Sequence, residues 1–371
     1  MNAKQYPFYI KATVILFGII LIIYVLFILQ DIMIPLAFAM IFSILLNPLY
    51  TWFQNHKIPK ILSIIITLLI ASVIFGGIIY FLSSQVTKFS DTVPLLKEKF
   101  TELSTRFGEW AQLHFGITIK KQLQLLNTAL NSSSALVGST VSSALGAISI
   151  ILLLPVYIFL FLFYKTLILN FLFEVFAEEN SKQVSEILNE TKSSVQSYMV
   201  GLLLEALIVA ILNSTALLIL DVKYAVLLGV IGALLNVIPY IGGVIAIALP
   251  VLIATVTKEG YHTQLGILIA YLVIQFIDNN ILVPRIVSSK VQINALVSII
   301  MVLLGAALWG VPGMFLAIPL IAIIKIIFDR IPDLKPWGKL LGDIIPTRHK
   351  GEIWSLRRKK SKRSLSEKIV S

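Results

Sequence analysis

Two stretches of this chain, Ala225–Val256 and Ala295–Phe328, each run for more than 30 residues with at most one charged side chain. A straight helix crosses the hydrocarbon core in about 20 residues, so each stretch is too long for a single span. Each also carries Pro and Gly near its middle. A chain with such segments has lipid as its solvent, and composition agrees. Of its 371 residues, 58% are hydrophobic and 13% are charged, against about 45–50% and 25% in soluble domains. The expected fold is an all-α polytopic membrane protein with about eight transmembrane helices. It should have Gly/Pro-broken or re-entrant segments in the C-terminal half and a small extracytoplasmic helical hairpin.

The organisation follows from where charge returns. Residues 1–83 hold three spans: an uncleaved first span over Ala12–Gln30, a tight hairpin at Asp31, a second over Ile32–Tyr50 and a third over Ile61–Ser83. Tyr50 and Trp52 suit a headgroup belt. Residues 84–143 are more polar. Phe89, Val93, Leu96, Phe100, Leu103, Phe107 and Trp110 recur there every 3.5 residues, which predicts an amphipathic helix and, with a second over Thr118–Leu130, a helical hairpin resting on the bundle. Residues 144–164 form span 4, with Pro155 inside it. Residues 165–200 predict a cytoplasmic amphipathic helix leading into the C-terminal core, 201–330, and residues 331–371 are a basic tail. From Arg348 to the end, nine bases face two acids. Beside a membrane such a run holds the C-terminus in the cytoplasm and meets anionic lipid rather than nucleic acid. The basic N-terminus, the His56–Lys60 loop and the tail all lie inside if the number of crossings is even, and eight satisfies this.

The two long apolar stretches echo each other. Asn236-Val-Ile-Pro-Tyr-Ile-Gly-Gly leads to Pro250, and Trp309-Gly-Val-Pro-Gly leads to Pro319. Pro cannot donate to the helix ladder and Gly lets the chain turn. Freed backbone groups at membrane depth survive only against protein or in a wet cavity, and paired Gly/Pro-interrupted segments point to a transporter's binding site. Pro239, Gly242, Gly243, Pro250, Pro284, Gly310, Pro312, Gly313 and Pro319 are therefore candidate breaks or hinges. Between the stretches lies a polar cluster, Gln275, Asp278, Asn279 and Asn280, followed by Arg285. Glu205, Asn213 and Asn236 complete the polar groups within the apolar runs. Ionisable residues there cost at least about 2.5–3.5 kcal/mol and face a cavity or a partner, so these eight side chains are the candidate transport pathway. A helix end at the headgroups is the competing reading for Asp278–Asn280, and for Glu205.

No nucleotide loop, dinucleotide fingerprint, zinc-protease motif or nucleophile elbow occurs, and no nucleophile/base pair assembles from the spans. The chain has no cysteine, and its four histidines are scattered. The expectation is a protein that is not an enzyme, with no cofactor and no metal, so that any transport is secondary. Partners are the lipid bilayer, a small polar solute, Na+ or H+, and further copies of the chain as a homo-oligomer.

The stretches Asn236–Pro250, Gln275–Pro284 and Gly310–Pro319 resemble the AI-2E transporter family, also called autoinducer-2 exporter-like or PerM-like permeases. The resemblance runs from Tyr9 to Asp329. It implies about eight membrane helices, an outer hairpin after span 3 and homo-oligomers. It further implies export of autoinducer-2 in some members and sodium/proton exchange in others. Its motif residues fall on Pro239, Gly242, Gly243, Gln275, Asp278, Asn279, Pro284, Pro312, Gly313 and Pro319. Many members carry Glu where this chain has Asp278. Three functions follow as expectations: export of a small polar metabolite of the autoinducer-2 kind across the cytoplasmic (inner) membrane, cation/proton antiport through Glu205 and Asp278, or a non-transporting membrane scaffold.

Overall fold

The computed structural model describes residues 7–90, 153–176, 181–237, 242–287 and 293–344, with isolated residues between 98 and 114. The hairpin expected over 84–143 lies almost wholly outside the described residues, as do Pro239 and the basic tail from 345. Among the described residues the chain is helical without a strand, apart from one bridge between Ile293 and Gly342. The elements are α1 (Phe8–Ile28), α2 (Gln30–Asn55), α3 (Lys60–Ser90), α4 (Leu153–Phe163), α5 (Lys165–Phe176), α6 (Ser181–Ile219), α7 (Ala225–Asn236), α8 (Gly242–Thr257), α9 (His262–Ile277), a π-helical segment (Asp278–Val287), α10 (Ala295–Arg330) and α11 (Lys335–Leu341). This is an all-α polytopic membrane protein.

Among the described residues five helices are long and apolar enough to cross a bilayer, and the bent α4–α5 pair counts as a sixth only if it is one broken span. The described residues do not fix the number of crossings at eight, and each of the two long apolar stretches folds back on itself. The first divides into α7 and α8, of 12 and 16 residues. At 1.5 Å per residue these arms reach only about 18 and 24 Å, short of a core about 30 Å thick. They run antiparallel. A Cβ on Gly232 would stand 3.4 Å from that of Ala246, and one on Gly242 would overlap the Leu235 carbonyl. Only glycine permits that approach beside the turn. At the open end of the hairpin Lys258 pairs with Asp221 and holds its carboxyl below the ordinary value.

The second stretch reverses within α10. Trp309 (φ −134°, ψ 15°) and Gly310 (φ 62°, ψ −141°) leave helical geometry, and Gly310 takes a backbone region essentially reserved for glycine. Gly305 and Gly313 would lie about 12 Å apart along a straight helix. Instead a Cβ on either would overlap the other's carbonyl oxygen, and one on Gly305 would stand 3.3 Å from Ala317. The two halves of α10 therefore form a second tight hairpin with its tip at Trp309–Gly310.

Residues at both tips pack against the bundle. Ile41 of α2, Val195, Met199 and Leu202 of α6, and Leu316 of α10 form one buried cluster. Val237, at the first tip, and Trp309, at the second, pack on that same cluster. The Trp309 indole N–H also donates to the Leu26 carbonyl at 3.0 Å.

Three sequence expectations change at the elements themselves. At Asp31 there is no tight reversal. The break is the single residue Leu29, whose N–H still bonds Val25 and whose carbonyl still accepts from Met33. Tyr50 is buried with Ala39, Ile64, Ile158 and Leu162 rather than standing in a headgroup belt, whereas Trp52 is exposed. The stretch 165–200 is not one amphipathic helix. Its first part is α5, bent 61° from α4, and its second is continuous with the core through α6, which passes position 200 unbroken.

Candidate transport site

The inward seam of α9 is legible in its burial pattern. Gln264, Ile267, Tyr271, Ile274 and Asp278 are buried, at steps of three and four residues. One stripe thus alternates polar and apolar side chains, with Gln264, Tyr271 and Asp278 two turns apart. Across from it, α6 carries Glu205, Val209 and Asn213 at i, i+4 and i+8, all buried. The α7–α8 hairpin lies between these faces. A Cβ on Gly232 would stand 3.3 Å from Asn213 Nδ2 and 3.7 Å from the Tyr271 hydroxyl.

The hairpin tip meets the upper end of this stripe. Asn236 Nδ2 donates to Asp278 Oδ2 at 2.8 Å, and Gln275 Nε2 approaches the same oxygen at 3.5 Å. Gly243, in the first turn of α8, sits against Gln275, whose Oε1 would be 2.6 Å from a Cβ there. Glu205 lies close enough to Asp278 for the two carboxyls to interact. Two ionised carboxylates are both acceptors, so this contact is a hydrogen bond only when one of the pair carries a proton.

A small cavity of about 10 Å³, the size that holds one water, opens here. Val209, Asn213, Asn236, Tyr271, Gln275 and Asp278 are among its walls. Asn213 Oδ1, Tyr271 Oη and Asp278 Oδ1 on those walls have no hydrogen-bond partner, nor has Gln264 Oε1 two turns further along α9. Asn213 and Asp278 are each only 2% exposed. An unsatisfied buried polar atom costs about 1–3 kcal/mol. Four such atoms lie on the facing sides of α6 and α9. Among the described residues no group of three His, Cys, Asp or Glu side chains could hold a metal ion.

A family model described as "AI-2E family transporter" matches residues 15–333. The chain belongs to the AI-2E family. YrrI of Bacillus subtilis (strain 168) is 27% identical over 318 residues, covering 81% of this chain and 86% of that protein. The AI-2 transport protein TqsA of Escherichia coli (strain K12) is 24% identical over 315 residues, covering 85% and 90%. PerM of the same strain is 26% identical over 253 residues, covering 67% and 69%. As an AI-2E protein, this is a multi-pass membrane protein of a transporter and permease family.

Within this AI-2E chain, the structure gathers Glu205, Asn213, Asn236, Gln275 and Asp278 at one place. The other three pathway candidates lie elsewhere. Asn279 and Asn280 face outward, Asn279 accepting from Gln275 at 3.4 Å and Asn280 donating to the Phe276 carbonyl at 2.8 Å. Arg285 is exposed and makes no ion pair among the described residues. The reason is the change of helix type at Asp278. The π-helical segment runs through Pro284 without ending, and Arg285 does not fold back toward Asp278. Such π segments recur at functional sites. Of the candidate breaks, Gly242 and Gly243 open α8, and Gly310 and Gly313 shape the second tip. Pro250, Pro312 and Pro319 sit inside helices. Tyr271 and Gly232 are cavity residues that motif reading passed over. Tyr271 lies seven residues before Asp278, on the same face of a helix, and that spacing is the signal that reveals it.

Proposed function

We propose that this AI-2E protein is a secondary transporter that exports a small polar metabolite of the autoinducer-2 kind across the inner membrane. The solute path runs between α6, α9 and the α7–α8 hairpin. The observation that carries this reading is the buried polar stripe, in which Gln264, Tyr271, Asn213 and Asp278 each present an atom without a protein partner. Groups of this kind at membrane depth are tolerated beside water or solute, not beside acyl chains. The name of TqsA supplies the solute class, and small polar molecules with several hydroxyls suit a wall of amide, hydroxyl and carboxyl groups. Membership in a transporter family weighs against a passive scaffold. The reading includes both termini in the cytoplasm and assembly as a homo-oligomer. The test is a solute screen on purified protein in liposomes, with Asp278→Asn as control. Efflux of a polar solute that this variant lacks supports the proposal, and efflux equal to wild type overturns the site.

A second reading, cation/proton antiport, is favoured by the contact between Glu205 and Asp278. A carboxyl pair that shares one proton can release it to admit one cation. Proton movement driven by a sodium gradient, and abolished by Asp278→Asn, would favour this reading. Proton flux unchanged by that substitution would remove it.

A further inference from the structure

We infer that the crook between α4 and α5 is a binding site for an anionic phospholipid. α5 turns 61° away from α4 at Tyr164, and its apolar residues do not all turn inward. Leu167, Phe171 and Val175, at i, i+4 and i+8, are each more than half exposed. A helix that leaves a transmembrane partner at this angle with an apolar stripe uncovered lies along the interface, its stripe among the acyl chains.

Three lysines from three elements stand near the start of this helix. Lys165 is the first residue of α5, and its Nζ donates to Asn47 Oδ1 of α2 at 2.8 Å. Lys192 of α6 is close enough for its charge to act on Lys165. Lys60, which opens α3, holds its ammonium 4.9 Å from the centre of the Phe163 ring, two residues before Lys165. Among the described residues none of the three forms an ion pair. Glu186 and Glu190, which precede Lys192 on α6, are engaged by Arg330 at 2.5 and 2.7 Å. The remaining acid on α5 is Glu174, nine residues and about 13 Å beyond Lys165.

Clustered like charges repel, and among the described residues no acid pairs with them. Beside a membrane-spanning helix and an apolar stripe, the species that brings both a phosphate and acyl chains is a phospholipid with net negative charge. The phosphate would sit among Lys60, Lys165 and Lys192, and the chains along Leu167 and Phe171.

Native mass spectrometry of the full chain in detergent, with phosphatidylglycerol or phosphatidylcholine added, tests this. Wild type should retain phosphatidylglycerol in preference to phosphatidylcholine. Each lysine near a membrane surface is worth about fivefold in binding. The Lys165→Gln/Lys192→Gln double variant should therefore retain about thirtyfold less phosphatidylglycerol, with Lys258→Gln unaffected and Lys165→Arg/Lys192→Arg restoring the preference. Thermal unfolding in the same detergent identifies variants that have lost their fold. In that case Leu167→Ser/Phe171→Ser serves instead, and should weaken lipid retention while leaving the lysines in place. Equal retention of the two lipids by wild type, or an unchanged preference in a folded variant, overturns the inference. So does full displacement of the lipid by millimolar inorganic phosphate, which would make the crook a site for free anions.

Discussion

At Asp278 the helix changes type, and this decides which polar side chains reach the interior. A regular helix through Gln275–Arg285 would place Asp278 and Arg285 on one face two turns apart. The π segment leaves Arg285 outside and gives Asp278 to Asn236, Gln275 and Glu205. Asp278→Asn keeps volume and hydrogen bonding but removes the charge. It should insert normally and lower transport about tenfold or more, equivalent to about 1.4 kcal/mol, as read by flux in liposomes at matched protein content. Two neighbouring glycines should separate stability from function. An alanine at Gly242 meets the Leu235 backbone, which cannot move, and should lower thermal stability by about 1–3 kcal/mol. An alanine at Gly243 meets only the flexible end of Gln275. It should fold, yet impair transport by turning that amide away from Asp278. Residue types here were legible in the sequence, because carboxyl and amide groups inside apolar runs stand out. Their facing was not, since a π segment carries no compositional mark. Asn279 and Asn280 accordingly fall outside a site that Tyr271 joins.

At the scale of elements, both hairpins rest on close approach of glycine backbones. Gly313→Ala should destabilise the protein by about 1–3 kcal/mol, because neither Gly305 nor the facing carbonyl can yield. Gly310→Ala should cost a similar amount through backbone strain alone, about 1–3 kcal/mol, since nothing lies within 4 Å of its Cβ position. Gly76→Ala in α3, also open, provides the contrast and should cost nothing in the same thermal melt. The interruptions in Ala225–Val256 and Ala295–Phe328 were readable from Pro and Gly against an apolar background. The number of crossings was not. Length and hydropathy give the same signal for two spans and for one hairpin that turns back, and the Gly305–Gly313 contact that separates these cases is tertiary.

For the whole molecule, the two sequence echoes become two hairpins whose tips rest on one cluster around Met199 and Leu202. The polar stripe of α9 faces α6 immediately beside the first tip. On the proposed reading, this convergence turns scattered polar residues into a route that is hydrated rather than lipid-filled. The chain is free of cysteine, so single cysteines report on access without background. The most direct measurement compares Tyr271→Cys on the inward stripe with Leu272→Cys, 65% exposed on the outer face of the same helix. Each would be challenged in membranes with a small, charged, membrane-impermeant thiol reagent. Modification of Tyr271→Cys, slowed by transported solute, with Leu272→Cys inert, is the expected result. A folded Tyr271→Cys protein as unreactive as Leu272→Cys would contradict a water-filled path through this site.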